Sequence, residues 1–131
     1  TVQGVLKIII DNIDYTIHSS KCAVFGYGRI GSLTADILSS LGAETIVCAR
    51  KYSDLAKADI KGIRSCQIKD FKDIAKEIDI IINTVPSVIL NRDILSELRK
   101  DCLIIDVASA PYGTDFAVAS ELGLRLESVY F

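Results

Sequence analysis

A glycine-rich turn after a short apolar segment constrains this chain more than any other feature. Residues 23–25 are apolar, and Gly26, Gly28 and Gly31 follow them at the spacing GxGxxG. Apolar side chains then recur at three- and four-residue steps over residues 30–41, which is the period of a helix. A strand that enters a helix through glycines at this spacing is typical of a domain that binds a dinucleotide.

The three glycines are expected to have different roles. Gly26 permits the tight turn, Gly28 lets a pyrophosphate approach the backbone, and Gly31 allows the helix to pack closely on the strand. Backbone N–H groups at the start of the helix, with the positive end of its dipole, favour a bound phosphate. The alternative is a sharp turn that binds nothing. We expect the pyrophosphate to lie against Gly26, Tyr27, Gly28, Arg29 and Ile30.

Strand-like and helix-like segments alternate along the chain. Strands are predicted over residues 23–25, 45–49, 64–68, 78–84, 103–107 and 124–126, the last with an alternative end at 129. Helices are predicted over residues 2–13, 30–41, 54–61, 70–77, 91–100 and 114–122. Continuously apolar strands are typical of a parallel sheet that is covered on both faces. The sequence therefore predicts a Rossmann-type α/β fold, a doubly wound parallel sheet in three layers with strand order 3-2-1-4-5-6.

The predicted helix ends rest on capping residues. Side chains of Ser, Asp and Thr accept hydrogen bonds from the first turn of a helix, and glycine readily takes the left-handed conformation that ends one. We therefore predict N-caps at Ser53, Asp70 and Thr114, and terminating glycines at Gly42, Gly62 and Gly123.

Composition argues against several classes of protein. The formal net charge is −2, whereas a nucleic-acid-binding domain usually has a strong basic excess. No apolar run reaches the roughly 20 residues that a membrane helix needs, and no signal segment is recognisable. We therefore expect a cytoplasmic protein that binds neither nucleic acid nor membrane.

The cysteines raise the question of a disulfide or a metal site. Cys22, Cys48, Cys66 and Cys102 lie far apart in sequence, without a CxxC motif and with only one histidine in the chain. We expect them to be reduced and mostly buried, and we predict no metal site. A zinc site formed by all four cysteines is the alternative.

The end of the second predicted strand indicates which dinucleotide binds. A domain specific for NAD usually has Asp or Glu there, which binds the adenosine ribose hydroxyls. Here Arg50 and Lys51 follow the strand, so two cations stand where a 2′-phosphate would lie. We predict a preference for NADP. If Arg50 instead stacks on adenine or is solvated, either NADP or NAD would bind.

Two further segments follow the fourth and fifth predicted strands, at the sheet edge where open α/β folds bind ligands. The nicotinamide end of the cofactor is expected against Thr84, Val85, Pro86, Ala108 and Ser109. Asp106, at the end of the fifth strand, could be a catalytic carboxylate or could accept hydrogen bonds from loop N–H groups. The residues alone indicate no catalytic acid–base pair.

Several segments, read together, are similar to one family. The most specific are Ala49-Arg50-Lys51, Asn83-Thr84-Val85-Pro86 and Ile105-Asp106-Val107-Ala108-Ser109. In this combination nearly the whole chain resembles the nucleotide-binding domain of the A subunit of dipicolinate synthase. Tyr112 is a departure, because the family tends to have a second glycine at that position.

This resemblance implies an NAD(P)-dependent oxidoreductase that makes dipicolinic acid from a dihydrodipicolinate-type intermediate of the lysine pathway in spore-forming bacteria. It also implies a partner, the flavoprotein-like B subunit of dipicolinate synthase. Residues 1–19 would form a connector helix after a substrate-side domain, and residues 20–131 the NAD(P)-binding domain. The chain would then be a fragment of a longer two-domain protein and inactive alone.

Two other functions remain open from the sequence. One is a different two-domain NADP-dependent dehydrogenase, of the shikimate or 2-hydroxyacid type. The other is a nucleotide-sensing module without turnover. In either case, an exposed apolar face on the first helix would allow a homo-oligomer to form.

Overall fold

Six strands and the helices between them follow each other along the chain in this computed structural model, which describes residues 2–128. The strands are β1 (Lys21–Phe25), β2 (Glu44–Ala49), β3 (Arg64–Gln67), β4 (Ile80–Asn83), β5 (Leu103–Asp106) and β6 (Arg125–Ser128). The α-helices are α1 (Val2–Asn12), α2 (Arg29–Ser40), α3 (Tyr52–Ile60), α4 (Arg92–Leu95) and α5 (Phe116–Glu121). All strand pairs are parallel, in the order β3-β2-β1-β4-β5-β6, which confirms the predicted sheet.

Side chains of the four inner strands, β2, β1, β4 and β5, alternate between two apolar cores, one on each face of the sheet. In β1, Ala23 and Phe25 pack against the side of α4 and α5, whereas Cys22 and Val24 pack against α1, α2 and α3. The central strand β4 is fully buried along its length. A strand that is buried on both faces is apolar at most positions, which explains the continuous apolar runs in the sequence.

Helix α1 is part of the core that it shares with α2 and α3. Val5 and Ile9 are fully buried beside the residues of α2, while Ile10 on the same helix is 64% exposed. The assignment of residues 1–19 as a connector between domains stays a prediction. No helix among residues 2–128 has the length and apolar character needed to cross a membrane.

The structure corrects two predicted N-caps. Helix α3 begins at Tyr52 with Lys51 as its N-cap, so Ser53 lies inside the first turn and accepts no capping bond. Helix α5 is capped by Asp115, whose side chain accepts a hydrogen bond from the Val118 N–H at 3.1 Å. Thr114 is unavailable as a cap because its hydroxyl donates to the buried carboxylate of Asp106.

Two predicted helices are wrong in form. Residues 70–77 belong to two 3₁₀ helices, Ile68–Asp73 and Ala75–Glu77, so Asp70 caps nothing. Helix α4 has four residues instead of the predicted run over residues 91–100, and Asn91 caps it. Beyond the helix, the Arg99 side chain donates to the Asp79 carboxylate and to the Lys76 carbonyl.

The ends of the remaining elements follow the predictions more closely. Gly42, Gly62 and Gly123 end their helices with positive φ, as predicted. The last strand covers Arg125–Ser128, and its alternative end at residue 129 lies outside the described residues.

Candidate dinucleotide-binding site

The carboxyl ends of β1, β4 and β5 meet at one edge of the sheet. The strand register pairs Phe25 with Asn83, and Asn83 with Asp106. Each strand ends at these residues, so the loops that follow start side by side. The predicted glycine turn and the two predicted nicotinamide segments therefore share one edge of the sheet.

Gly26 and Gly31 make the turn between β1 and α2 tight. Gly26 has φ +94°, a conformation that favours glycine, and its N–H donates to the Cys48 carbonyl at 2.9 Å. A Cβ on Gly26 would overlap the Thr84 hydroxyl, and a Cβ on Gly31 would overlap the Gly26 carbonyl. These two glycines have the turn and packing roles that the motif predicts.

Gly28 faces open space instead. A Cβ built there would have no atom within 4 Å. Gly28 is the N-cap of the 12-residue helix α2 and makes no side-chain capping bond, and Arg29 beside it is exposed. Because the first N–H groups of a helix have no acceptor within it, this space suits a pyrophosphate.

The side chain of Tyr27, next to Gly28, is largely buried. It is only 8% exposed and packs with Ala35 and Leu38 of α2, and the Lys61 ammonium lies 5.8 Å from its ring centroid. Its hydroxyl is buried and has no hydrogen-bond partner among residues 2–128. Little of the Tyr27 side chain is therefore available to a ligand at the turn, and the partly buried Ile30 packs against the same core.

Thr84 is fixed against the end of β1. Its N–H and its hydroxyl both donate to the Phe25 carbonyl, at 3.0 and 2.7 Å. Val85 is held next to it, because the side chain of Asn83 donates to the Val85 carbonyl at 3.1 Å and accepts from its N–H at 3.2 Å. Pro86, which follows, is exposed.

Asp106 holds the second loop in place. Its carboxylate is 1% exposed and accepts from the Ala108 N–H at 3.0 Å, the Gly113 N–H at 3.2 Å and the Thr114 hydroxyl at 2.6 Å. The Asn83 amide also donates to it, at 3.3 Å. Of the two interpretations of Asp106, this geometry favours the acceptor of loop hydrogen bonds.

Asn83 and Asp106 are both buried and together link the two loops, an arrangement that we call the clamp. The sequence analysis did not include Asn83 among the predicted site residues. The sequence did carry a signal for it, because Asn83 and Asp106 are each a polar residue at the end of an otherwise apolar strand. A Cβ on Gly113 would overlap the Asn83 amide nitrogen and the Val85 carbonyl, so the loops are closely packed. Ala108 is 6% exposed beside the clamp, while Ser109 is exposed.

Tyr112 takes a positive φ of 68° in the second loop, although it is not glycine. Its N–H donates to the Ser109 carbonyl at 2.8 Å, and its ring packs edge-on against Phe116 at 5.3 Å between centroids. These contacts hold the strained backbone at the position where the resembling family tends to have glycine.

Arg50 lies at the edge of a cleft of about 350 Å³ beyond the end of β2. Ile68, Val88 and Ile89 form its apolar walls, and Lys69 and Lys72 also line it. Arg50 and Lys69 also line an adjoining cleft. Lys51 lines neither cleft and is the N-cap of α3. Lys69 and Val88 were not predicted, because the fold and not the sequence brings them beside Arg50.

All four cysteines are free thiols. Burial raises the pKa of Cys22 to about 11 and that of Cys102 to about 12. Across residues 2–128, no group of three or more His, Cys, Asp and Glu side chains is placed to hold a metal ion.

The amino-acid sequence matches a known family of NAD-binding domains. Residues 10–122 match the model of the D-isomer specific 2-hydroxyacid dehydrogenase, NAD binding domain. The chain therefore belongs to this family of NAD-binding domains.

Its relatives include the A subunit of dipicolinate synthase from Bacillus subtilis (strain 168), which is 42% identical over 95% of this chain and 42% of that protein. The crystal structure of the dipicolinate synthase A chain from Bacillus subtilis superposes with a TM-score of 0.94 at 41% identity, covering 98% of this chain and 43% of the other. The corresponding protein from Bacillus halodurans gives a TM-score of 0.95 at 32% identity, covering 99% and 45%.

The chain is thus similar to the A subunit of dipicolinate synthase, as the sequence motifs indicated, and spans less than half the length of these relatives.

Proposed function

We propose that this chain is the dinucleotide-binding domain of an NAD(P)-dependent oxidoreductase like the A subunit of dipicolinate synthase. The observation that carries the proposal is the open space at Gly28 in front of α2. A pyrophosphate there would contact the backbone of Gly26, Tyr27, Gly28, Arg29 and Ile30.

The adenosine end of the cofactor would lie in the cleft beside Arg50. Its apolar walls suit the faces of an adenine ring, and Arg50 and Lys69 line it with positive charge for a 2′-phosphate. Lys51, next to Arg50 in sequence, would add a further cation. No carboxylate follows β2 to bind unmodified ribose hydroxyls. These features support NADP as the preferred cofactor, with NAD as the alternative.

The nicotinamide end would lie between the two clamped loops, against Thr84, Val85, Pro86, Ala108 and Ser109. When bound, the nicotinamide ring supplies or accepts a hydride. The clamp formed by Asn83 and Asp106 would orient the loops around it, since both side chains bind both loops directly or through each other. Asp106 is occupied with these bonds, so we assign the acid–base residue to a part of the protein outside this chain.

The proposed reaction is a step in dipicolinic acid synthesis, with a cyclic dicarboxylate held by a second domain. Its partner would be the B subunit of dipicolinate synthase, in the cytoplasm of a sporulating bacterium. Support comes from the 42% identity to the A subunit of dipicolinate synthase from Bacillus subtilis and from the sequence motifs by which this chain resembles that family. A homo-oligomer formed through the exposed face of α1 is a further part of the proposal.

An assay of the full-length protein together with the B subunit tests this reaction. Dipicolinate should form from the dihydrodipicolinate-type intermediate only when the nicotinamide cofactor is present. The family match also favours a 2-hydroxyacid dehydrogenase as a second candidate. Turnover of 2-hydroxyacids without dipicolinate formation would establish that alternative, and tight cofactor binding without any turnover would indicate a sensing module.

A further inference from the structure

Two of the cysteines lie in contact across neighbouring strands. Cys48 of β2 and Cys66 of β3 are register partners, and their Sγ atoms are 3.4 Å apart. Cys48 is fully buried, whereas Cys66 is partly exposed on the edge strand of the sheet. Cys22 and Cys102 instead contact the Ser20 hydroxyl and the Leu103 carbonyl.

The two thiols differ in their surroundings. The hydrogen bond with Cys48, followed by the charge of Arg64, lowers the pKa of Cys66. Burial, followed by the contact with Cys66, raises the pKa of Cys48. Because Cys66 is partly exposed whereas Cys48 is fully buried, a reagent from solvent reaches Cys66 first, and the lowered pKa of Cys66 favours its reactive thiolate form. We therefore assign Cys66 as the nucleophile of the pair.

We propose that Cys48 and Cys66 form a thiol-oxidation site for hydroperoxides, which closes to a disulfide. The Cys66 thiolate attacks one oxygen of hydrogen peroxide, the O–O bond breaks, and the departing hydroxide takes a proton to become water. The Cys48 sulfur then attacks the resulting sulfenic acid of Cys66. The S–O bond breaks, and the Cys48 proton leaves with the hydroxide as a second water. Two thiols become one disulfide while one peroxide is reduced to two waters.

The pair is adjacent in sequence to residues of the cleft that adjoins the one beside Arg50. Arg50, which follows Cys48 by two residues, and Gln67 and Ile68, which follow Cys66, line this adjoining cleft. A disulfide would link Cys48 and Cys66 covalently, and with them the strand ends that lead to Arg50 and Gln67. We expect this link to alter dinucleotide affinity, an effect that rests on the proposed function.

Peptide mapping after peroxide treatment tests the site directly. The protein is treated with hydrogen peroxide, free thiols are alkylated, and the digest is analysed by mass spectrometry. We expect a linked peptide pair containing Cys48 and Cys66 that disappears after treatment with dithiothreitol, while Cys22 and Cys102 stay unmodified. Oxidation of Cys66 without a link to Cys48, or equal oxidation of Cys22 and Cys102, would overturn the proposal.

Variants separate the site from its effect on binding. Cys66→Ser should abolish the link, and Cys102→Ala should retain it. The dissociation constant for NADPH should change at least about threefold on oxidation of the wild-type protein and return with dithiothreitol, with no change in Cys66→Ser. An unchanged constant contradicts the coupling. Failure of the reduced protein to bind NADPH contradicts the proposed function instead, and the peptide map still decides the oxidation site.

Discussion

At Gly28 the chain lacks a side chain although nothing in the protein would contact one. The other two glycines of the turn are required by the fold, because a Cβ on Gly26 or Gly31 would overlap protein atoms. Gly28 also has φ −78°, which any residue adopts. The absence of a side chain at this residue is therefore explained by something that approaches from outside, which in our account is a pyrophosphate.

Substitution of Gly28 should consequently separate binding from stability. Gly28→Ala should leave the melting temperature within about 2 °C and weaken dinucleotide binding at least about tenfold, roughly 1.4 kcal/mol. Gly31→Ala, the matched change, should destabilise the fold by about 1–3 kcal/mol, because its Cβ would overlap the Gly26 carbonyl. Calorimetric titration and thermal unfolding measure both effects, and unchanged binding in Gly28→Ala would contradict the account.

Arg50 should set the preference between the two nicotinamide cofactors. A charge-assisted hydrogen bond to phosphate contributes about 1.5–3 kcal/mol, so Arg50→Gln should weaken NADPH binding about tenfold or more and change NADH binding little. Fluorescence titration with both nucleotides measures this. Lys7→Gln removes an exposed cation on α1 and serves as the control. Equal losses for NADPH and NADH in Arg50→Gln would indicate stacking on adenine instead.

At the scale of elements, the sequence allowed the sheet to be predicted more accurately than the helices. The four inner strands are buried along most of their length, so their apolar character is visible in the sequence alone. Short helices depend on contacts that are distant in sequence. Thr114 looked like an N-cap, but Asp106, eight residues earlier, uses its hydroxyl, and Asp115 caps α5.

The candidate site, like the secondary structure, was predictable from the sequence only in part. The glycine turn and the strand ends were predictable, because motif spacing and the topology of a parallel sheet place them. Lys69 beside Arg50 and the bond between Asn83 and Asp106 were not, since they depend on how the 3₁₀ segment and neighbouring loops pack.

The clamp between β4 and β5 should be important for stability. In Asp106→Asn, the new amide would place a donor against the N–H and hydroxyl donors that now bind the carboxylate. We expect a loss of about 2–3 kcal/mol in the free energy of unfolding, the usual penalty for buried polar groups without partners. Urea denaturation measures it.

Asp115→Asn is the control for this substitution, because Asn caps a helix about as well as Asp. It should leave the free energy of unfolding within about 0.5 kcal/mol. A value as small for Asp106→Asn would show that the buried clamp does not hold the loops together.

At the scale of the whole molecule, our proposal uses residues of several loops to hold a dinucleotide, whereas the buried carboxylate of Asp106 holds the loop after β5. The chain spans less than half of its relatives' length. Under the proposed function, binding and turnover separate, with cofactor binding by this domain and turnover only by the full-length protein with its partner.

Titration of the wild-type protein with NADPH and NADH tests the central claim most directly. The account predicts saturable, one-to-one binding of both, with NADPH bound about tenfold more tightly, and loss of that binding in Gly28→Ala. Binding of NADH as tightly as NADPH would contradict the proposed role of Arg50. Absence of saturable binding of either nucleotide would contradict the account as a whole.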